Sequence, residues 1–468
     1  MIGRIKEINI LENKYNSTTS DFVAVFGRRR VGKTYLIRNV FKNTFAFQLT
    51  GLSNASLQVQ LHNFNTSLKE YYPKYAENST NWMDAFYNLR KCLEKSKLKK
   101  KVIFLDELPW LDTPNSNFLQ ALEHFWNSWA SGRNDILLIV CGSAASWMIN
   151  KLINNKGGLH NRVTQKLKIE PFTLKECELL LKSKKITLDK YQILQIYMAL
   201  GGIPFYWENI EKGKSATQNI NSICFETNGL LRTEFTNIFK SLFNKAENHE
   251  AIVYALAKKS KGLTREEIIA ESKLSNGGSF TRMLEELEYS GFIRKYVPFG
   301  KKNRNSLYQL VDFYSLFYLK FIKNHPLTDA NYWLKILDSP KYRAWSGYAF
   351  EQVCLSHLEQ IKKGLGISGI EATASSWRSK NTENGVQIDL VIDRRDQVIN
   401  LCEMKFSIQK FEITKKYKAE LLQKIAVFRE ETATEKALFL SVISTYGVKK
   451  NTHFDVLQND INMSILYI

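Results

Sequence analysis

Apolar residues are arranged differently in successive stretches of this chain. In the first third they form short unbroken runs, in "DFVAVFG", "KVIFLDELPWL" and "DILLIVCGSAASWM". Unbroken apolar runs of this length predict strands buried on both faces of a parallel sheet, and "KTYLIRNVFKN", with apolar residues at helical spacing, predicts a helix after the first of them. From about Thr173 to Lys240 the period becomes helical in "LKECELLLKSKKI" and "KYQILQIYMALGG", until Gly201, Gly202 and Pro204 break it before "FYWENI". Residues 249–322 open with two amphipathic segments, "HEAIVYALAKKS" and "LTREEIIAES". In the second, Thr264 stands three residues before Glu267, a capping-box signature. A glycine turn and a third helix follow in "KLSNGGSFTRMLEELEYSGF", then a two-stranded ribbon in "IRKYVPFGKKNRNSLYQLVD". In the last quarter "QIDLVID" and "VINLCEMKFS" alternate like half-buried strands around a turn at "RRDQ".

Length and composition narrow this picture. With 468 residues the chain exceeds one ordinary domain, and 44% hydrophobic with 24% charged residues is a globular composition. Lys and Arg outnumber Asp and Glu by 66 to 46, a formal charge of +20 that favours polyanionic partners, nucleic acid first. A lysine-rich solvated face gives the same excess. The opening "MIGRIKEINILEN" lacks the apolar core of a signal peptide, and no apolar run approaches bilayer-spanning length, so a cytoplasmic location without membrane contact is expected. The six cysteines contain no C-x-x-C pair and read as reduced core residues, not a zinc site or disulfide framework.

The first chemistry-bearing stretch is Gly27-Arg28-Arg29-Arg30-Val31-Gly32-Lys33-Thr34-Tyr35, a G-x-x-x-x-G-K-T spacing between a predicted strand and helix. Glycines at both ends allow backbone N–H groups to turn inward around a di- or triphosphate, the lysine reaches the outer phosphates and the threonine hydroxyl meets Mg²⁺. ATP or ADP with Mg²⁺ is the expected ligand. A second strand, Val102 to Leu105, delivers Asp106 and Glu107 at its carboxyl end. Asp106 is assigned to magnesium and Glu107 to activation of water. A third strand ends in Gly142 and Ser143; Ser143 is either a sensor of the γ-phosphate or a small residue required by a tight turn. Arg162 is either a cation for that phosphate or a surface arginine.

Taken in order, "MIGRIKEINILEN", "FGRRRVGKTYLIR", "IFLDELPWL", "IVCGSAASWM", "IEPFTLKE" and "GGIPFYW" resemble the archaeal-type ATPases of the STAND class, relatives of the AAA+ enzymes, over about half the chain. The resemblance implies a P-loop NTPase core with a helical lid, in which Gly3 and Arg4 neighbour the base or ribose. It also implies a switch that changes shape or assembly with ATP, hence a nucleotide-dependent homo-oligomer.

The ribbon after the third helix has the layout of a winged helix-turn-helix. Lys301, Lys302 and Arg304 at its tip suit phosphates. Glu285, Glu286 and Glu288 on the third helix do not, which leaves DNA contact and inter-domain contact both open. In the last quarter, "GVQIDLVIDRRDQVINLCEMKFS" brings Asp389 on one hairpin strand near Glu403 and Lys405, which share a face of the next. Asp389 and Glu403 would hold Mg²⁺ or Mn²⁺, Lys405 would position a water, and Glu351 on the helix "WSGYAFEQVCLSHLEQI" is a further ligand or organiser. These residues resemble the PD-(D/E)xK nuclease superfamily, whose domain commonly follows this ATPase type. Tyr417, Lys418, Gln423 and Lys424 are either phosphate-facing or plain surface. The expected architecture is therefore α/β: a P-loop core at 1–170, a helical lid at 171–245, a winged helix-turn-helix at 246–335 and a restriction-endonuclease-like α/β domain at 336–468. The last of these either cleaves DNA or only binds nucleic acid or protein.

Overall fold

The computed structural model describes all residues except 155–156, 160, 244, 326–328 and 380–384. Compactness divides the chain into two units, Met1–Pro171 with Glu285–Gly291 and Phe172–Leu284 with Phe292–Ile468.

The first unit is built on five parallel strands: β1 (Asp21–Phe26), β2 (Phe45–Thr50), β3 (Lys101–Asp106), β4 (Ile136–Gly142) and β5 (Gln165–Lys168), in the order β2-β3-β4-β1-β5. Every residue of β3 and β4 is buried. That explains the unbroken apolar runs, since a central parallel strand has no solvent face that would require alternation. Helices Trp82–Lys95 and Phe118–Ser128 cover the sheet with aromatic side chains: the Trp82 and Phe118 rings meet edge to face at 4.9 Å, and Phe22 packs on Trp126 at 5.0 Å. Each such buried ring contributes roughly 2–3 kcal/mol of burial free energy. The strand order has a functional consequence. Because β4 lies between β1 and β3, the carboxyl ends of these strands present the glycine loop, Ser143 and the Asp106–Glu107 pair side by side.

The second unit begins with helices. Thr173 and Glu176 form the capping box of Leu174–Ser183, and Lys190–Leu200 stops at Gly201, whose φ is 64°. Gly202 has to be glycine: a Cβ there would lie 1.8 Å from the Phe172 carbonyl oxygen, and the Phe172 N–H donates to the Gly202 carbonyl at 2.6 Å. Helices Ala246–Ala257, Arg265–Ser272 and Gly278–Tyr289 come next in sequence, the second opened by the Thr264–Glu267 capping box. An antiparallel ribbon of β6 (Ile293–Tyr296) and β7 (Leu307–Leu310) follows, and Leu263 makes a further antiparallel bridge to Tyr308.

The remaining strands are β8 (Ala372–Arg378), β9 (Gln387–Arg394), β10 (Val398–Lys405), β11 (Ala437–Ser444) and β12 (Asn459–Asn462), in the order β12-β11-β10-β9-β8. β8, β9 and β10 are antiparallel neighbours, whereas β10, β11 and β12 run parallel, the helix Lys415–Thr432 carrying the chain from β10 to β11. Leu421 and Phe428 of that helix are fully buried against Leu401, Val391 and Trp377. The six cysteines are buried free thiols. Among the described residues, no helix is long and apolar enough to cross a membrane.

Candidate functional sites

The loop after β1 is shaped by backbone constraints. Gly27 has φ 138°, and a Cβ there would come within 2.4 Å of the Ile169 carbonyl oxygen. Gly32, at φ 88°, lets the chain turn into helix Lys33–Val40. The Lys33 side chain is buried and its ammonium donates to the Gly27 and Arg28 carbonyls at 3.0 and 2.9 Å. Burial lowers its pKa, against the opposing pull of the Glu107 and Asp106 charges.

The Thr34 hydroxyl donates to Asp106 Oδ2 at 2.9 Å. Burial raises the Asp106 pKa and the Glu107 charge adds to that, while bonds from the Thr34 hydroxyl and the Glu107 amide work against it. Glu107 sits in the left-handed region at φ 47° and ψ 48°, an uncommon conformation for a residue with a side chain. That conformation ends β3 and directs the carboxylate to the neighbouring strand end, where Ser143 donates its hydroxyl to Oε1 at 2.6 Å and its N–H to Oε2 at 3.2 Å. Among the described residues, no cation forms an ion pair with Asp106 or Glu107. A hydroxyl beside a carboxylate, with no competing ammonium, is a donor set that fits Mg²⁺.

Gly3 (φ 62°) and Arg4 (φ 60°) lead into the helix Ile5–Tyr15. The buried Arg4 guanidinium donates to the Val31 carbonyl at 3.1 Å and pairs with Glu7 at 3.6 Å, so the early sequence box buttresses the glycine loop. Val31 and Arg28 are buried, Arg29 and Arg30 half-buried, and Tyr35 and Arg162 exposed. Ser143 therefore has Glu107 as its partner, a contact that the sequence reading did not foresee.

The second site lies within the second unit. Glu403, on β10, is almost fully buried and is held by the Lys424 ammonium at 2.5 Å, the Tyr417 hydroxyl at 3.3 Å and the Lys405 ammonium at 3.7 Å. Glu351, on helix Pro340–Ser356, and Asp389, on β9, converge on a different cation, Lys261, whose ammonium lies 2.9 Å from Glu351 Oε2 and 3.2 Å from Asp389 Oδ1. Burial raises the Glu351 pKa, the nearby Asp389 charge reinforces the rise, and Lys261 opposes it. Burial acts to lower the Lys261 pKa, but the Asp389 and Glu351 charges outweigh it and the net shift is upward.

This arrangement departs from the simple triad expected. Each of three carboxylates has an ammonium partner, and among the described residues no group of three or more His, Cys, Asp or Glu side chains forms a metal-binding set. Lys261 was missed because it stands 90 and 128 residues from its partners; the lysine-rich "KKSKG" around it gave no sign of direction. Of the other helix residues singled out, Lys418 pairs with Asp455 at 2.6 Å and Gln423 is exposed. Lys301, Lys302 and Arg304 are exposed in the loop between β6 and β7. The start of that loop is fixed: the Phe299 N–H donates to the Ser376 carbonyl at 2.9 Å and its ring packs 5.3 Å from Phe428.

Comparisons with known proteins bear on the amino-terminal part of the chain. Residues 1–210 match the family described as an ATPase domain predominantly from Archaea. An uncharacterized protein of Methanocaldococcus jannaschii, MJECL04, is 24% identical over 428 residues, covering 90% of this chain and 91% of its own. An uncharacterized ATP-binding protein of the same organism, MJ0423, is 40% identical over 42 residues, 9% of this chain and 71% of its own. Among solved structures, the Walker-type ATPase PABY2304 of Pyrococcus abyssi is similar with a TM-score of 0.52 at 15% identity, over 69% of this chain and 96% of that one. The amino-terminal part of the chain, residues 1–210, is thus similar to archaeal-type P-loop ATPase domains.

Proposed function

We propose that this protein is an ATP-hydrolysing switch of the STAND and AAA+ kind whose nucleotide state controls a metal-dependent, nucleic-acid-processing domain at its carboxyl end. The observation that carries the ATPase half is the pair of hydrogen bonds Thr34–Asp106 and Ser143–Glu107 beside the glycine loop. In this reading the loop from Gly27 to Thr34 holds the phosphates, Lys33 exchanges its carbonyl partners for phosphate oxygens, and Thr34 with Asp106 holds Mg²⁺ directly or through its water shell. Glu107 accepts the proton of the attacking water, and Ser143 keeps it retracted until nucleotide arrives. Magnesium supplies charge neutralisation on the phosphates when bound. Gly3 and Arg4 serve the base side by supporting the loop at Val31.

For the carboxyl-terminal half, what supports the nuclease reading is the coincidence on one sheet of Glu351, Asp389, Glu403 and Lys405, around strands β9 and β10 joined to β11 by a helical crossover. We read residues 246–335 as a winged helix-turn-helix, with 171–245 as the lid. Lys301, Lys302 and Arg304 then supply phosphate contacts on DNA. A second reading, a regulatory ATPase whose last domain binds nucleic acid or protein without cutting, is favoured by the full neutralisation of the carboxylates by lysines.

The discriminating experiment uses Mn²⁺-binding and strand-cleavage assays on the whole chain, with Asp389→Asn as the control. Asp389-dependent cutting supports the first reading. Nucleic-acid binding that ignores both Mn²⁺ and Asp389→Asn supports the second.

A further inference from the structure

Lys261 belongs to the segment that joins the helix Ala246–Ala257 to the Thr264 cap, so it reaches the Glu351–Asp389 pair from outside the carboxyl-terminal sheet. Its approach is not that of a loose surface side chain. The Ser260 carbonyl accepts from Gln309 Nε2 at 2.7 Å and from the Tyr348 hydroxyl at 3.0 Å, and the Lys261 carbonyl accepts from the Tyr296 hydroxyl at 2.5 Å. Leu263 exchanges both backbone hydrogen bonds with Tyr308, at 2.9 and 2.8 Å. Between them Gly262, at φ 89°, lets the segment lie against β7; a Cβ there would come 2.6 Å from the Tyr308 carbonyl oxygen. Contacts on both sides thus fix the backbone from which the ammonium projects. The lysine opens onto a cavity of about 230 Å³ whose lining includes Arg294, Glu351, Ser376 and Asp389.

Charge counting gives this contact its meaning. Glu351, Asp389 and Glu403 carry three negative charges, and Lys261, Lys405 and Lys424 carry three positive ones. With Arg294 also lining the cavity, a divalent cation added to that set would enter a partly buried site whose carboxylate charge is already cancelled, with an ammonium within hydrogen-bonding distance of two of its ligands. Such a site loads metal only if the competing ammonium leaves.

We propose that Lys261 is a built-in competitor for the divalent cation at Glu351 and Asp389, so that metal loading of the carboxyl-terminal domain requires its withdrawal by the segment that carries it. The proposal rests on the reading of Glu351 and Asp389 as metal ligands. The coupling is reciprocal: whatever moves Lys261 away raises metal affinity, and metal drives Lys261 away by the same factor.

The test is Mn²⁺ binding to the whole chain without nucleotide, followed by electron paramagnetic resonance. The unaltered protein is compared with Lys261→Met, Lys261→Gln and Lys261→Arg, each with and without Asp389→Asn. Both neutral variants are expected to bind one Asp389-dependent Mn²⁺ at least about tenfold more tightly than the unaltered chain, with Lys261→Arg staying weak. Circular dichroism melting identifies a variant that has lost its fold; loss of fold in both neutral variants with retention in Lys261→Arg shows that the charge itself is needed for folding. In that event the unaltered protein supplies the readout: Mn²⁺ must increase hydrogen exchange at 260–264, and unchanged exchange at saturating Mn²⁺ overturns the proposal. An Asp389-dependent site of equal affinity in all four chains overturns the competition and leaves the metal reading standing. Absence of any Asp389-dependent Mn²⁺ in the folded neutral variants overturns the metal reading, and the proposal with it.

Discussion

The two acidic sites of this protein solve the problem of buried carboxylates in opposite ways. In the first unit, Asp106 and Glu107 are held by uncharged donors, the Thr34 and Ser143 hydroxyls and two backbone amides. In the second, Glu351, Asp389 and Glu403 are held by ammonium groups. Uncharged donors orient a carboxylate while leaving its charge available to an incoming cation. Ammonium partners orient it and cancel that charge. The first site is therefore open to Mg²⁺ as it stands, whereas under the proposed function the second would have to exchange an ammonium it already holds.

Substitutions that remove a charge from each site break or sharpen this contrast. The largest effect is expected for Lys33→Ala, which removes the only buried ammonium of the glycine loop; ATP affinity measured by calorimetry should fall about 10³-fold, the scale for truncating one member of a desolvated charge pair. Glu107→Gln can keep the Ser143 hydroxyl bond through its carbonyl oxygen, gives up the bond from the Ser143 N–H, and removes the proton acceptor. Single-turnover hydrolysis should slow by about 10²-fold or more while ATP still binds.

Stability should then divide the sites by sign. Lys424→Met strips the closest cation from nearly buried Glu403 and should cost roughly 2 kcal/mol in urea unfolding, less than a fully isolated buried charge because Lys405 and Tyr417 remain. Asp106→Asn should instead raise stability, by about 1 kcal/mol, as is common when a desolvated functional carboxylate is neutralised. Its pH dependence follows from the raised Asp106 pKa. The folded chain holds the proton more tightly than the unfolded one, so the cost of Asp106 is absent below the ordinary aspartate value and grows as pH rises through the raised one. The gain from Asp106→Asn should accordingly shrink in melting curves taken towards pH 4. Ser143→Ala, the mildest change, should alter hydrolysis by only a few-fold, since it frees Glu107 without removing it.

How much of this was legible in the sequence depends on distance along the chain. The glycine loop announces itself because its turn, lysine and threonine are consecutive and flanked by an unbroken apolar run and a helical one. Asp106 and Glu107 follow from the strand that ends in them. That Ser143 contacts Glu107 needs the strand order, with β4 between β1 and β3, which no local pattern encodes. Alternation in "VINLCEMKFS" placed Glu403 and Lys405 on one face, and they do form an ion pair at 3.7 Å. Lys261 was invisible: a lysine in a basic segment looks solvated until the fold brings it to Glu351 and Asp389. Glu403 and Lys405 were thus readable as a pair, while the ammonium that holds Asp389 was not.

The measurement that tests the central claim most directly is cleavage of plasmid and single-stranded DNA with Mg²⁺ or Mn²⁺, with and without ATP, by the unaltered protein, Lys405→Ala and Lys33→Ala. An ATP-controlled metal-dependent domain predicts cutting that disappears in Lys405→Ala and no longer responds to ATP in Lys33→Ala. No cutting by the unaltered protein under any of these conditions, with ATP hydrolysis intact, would contradict it and leave a regulatory ATPase.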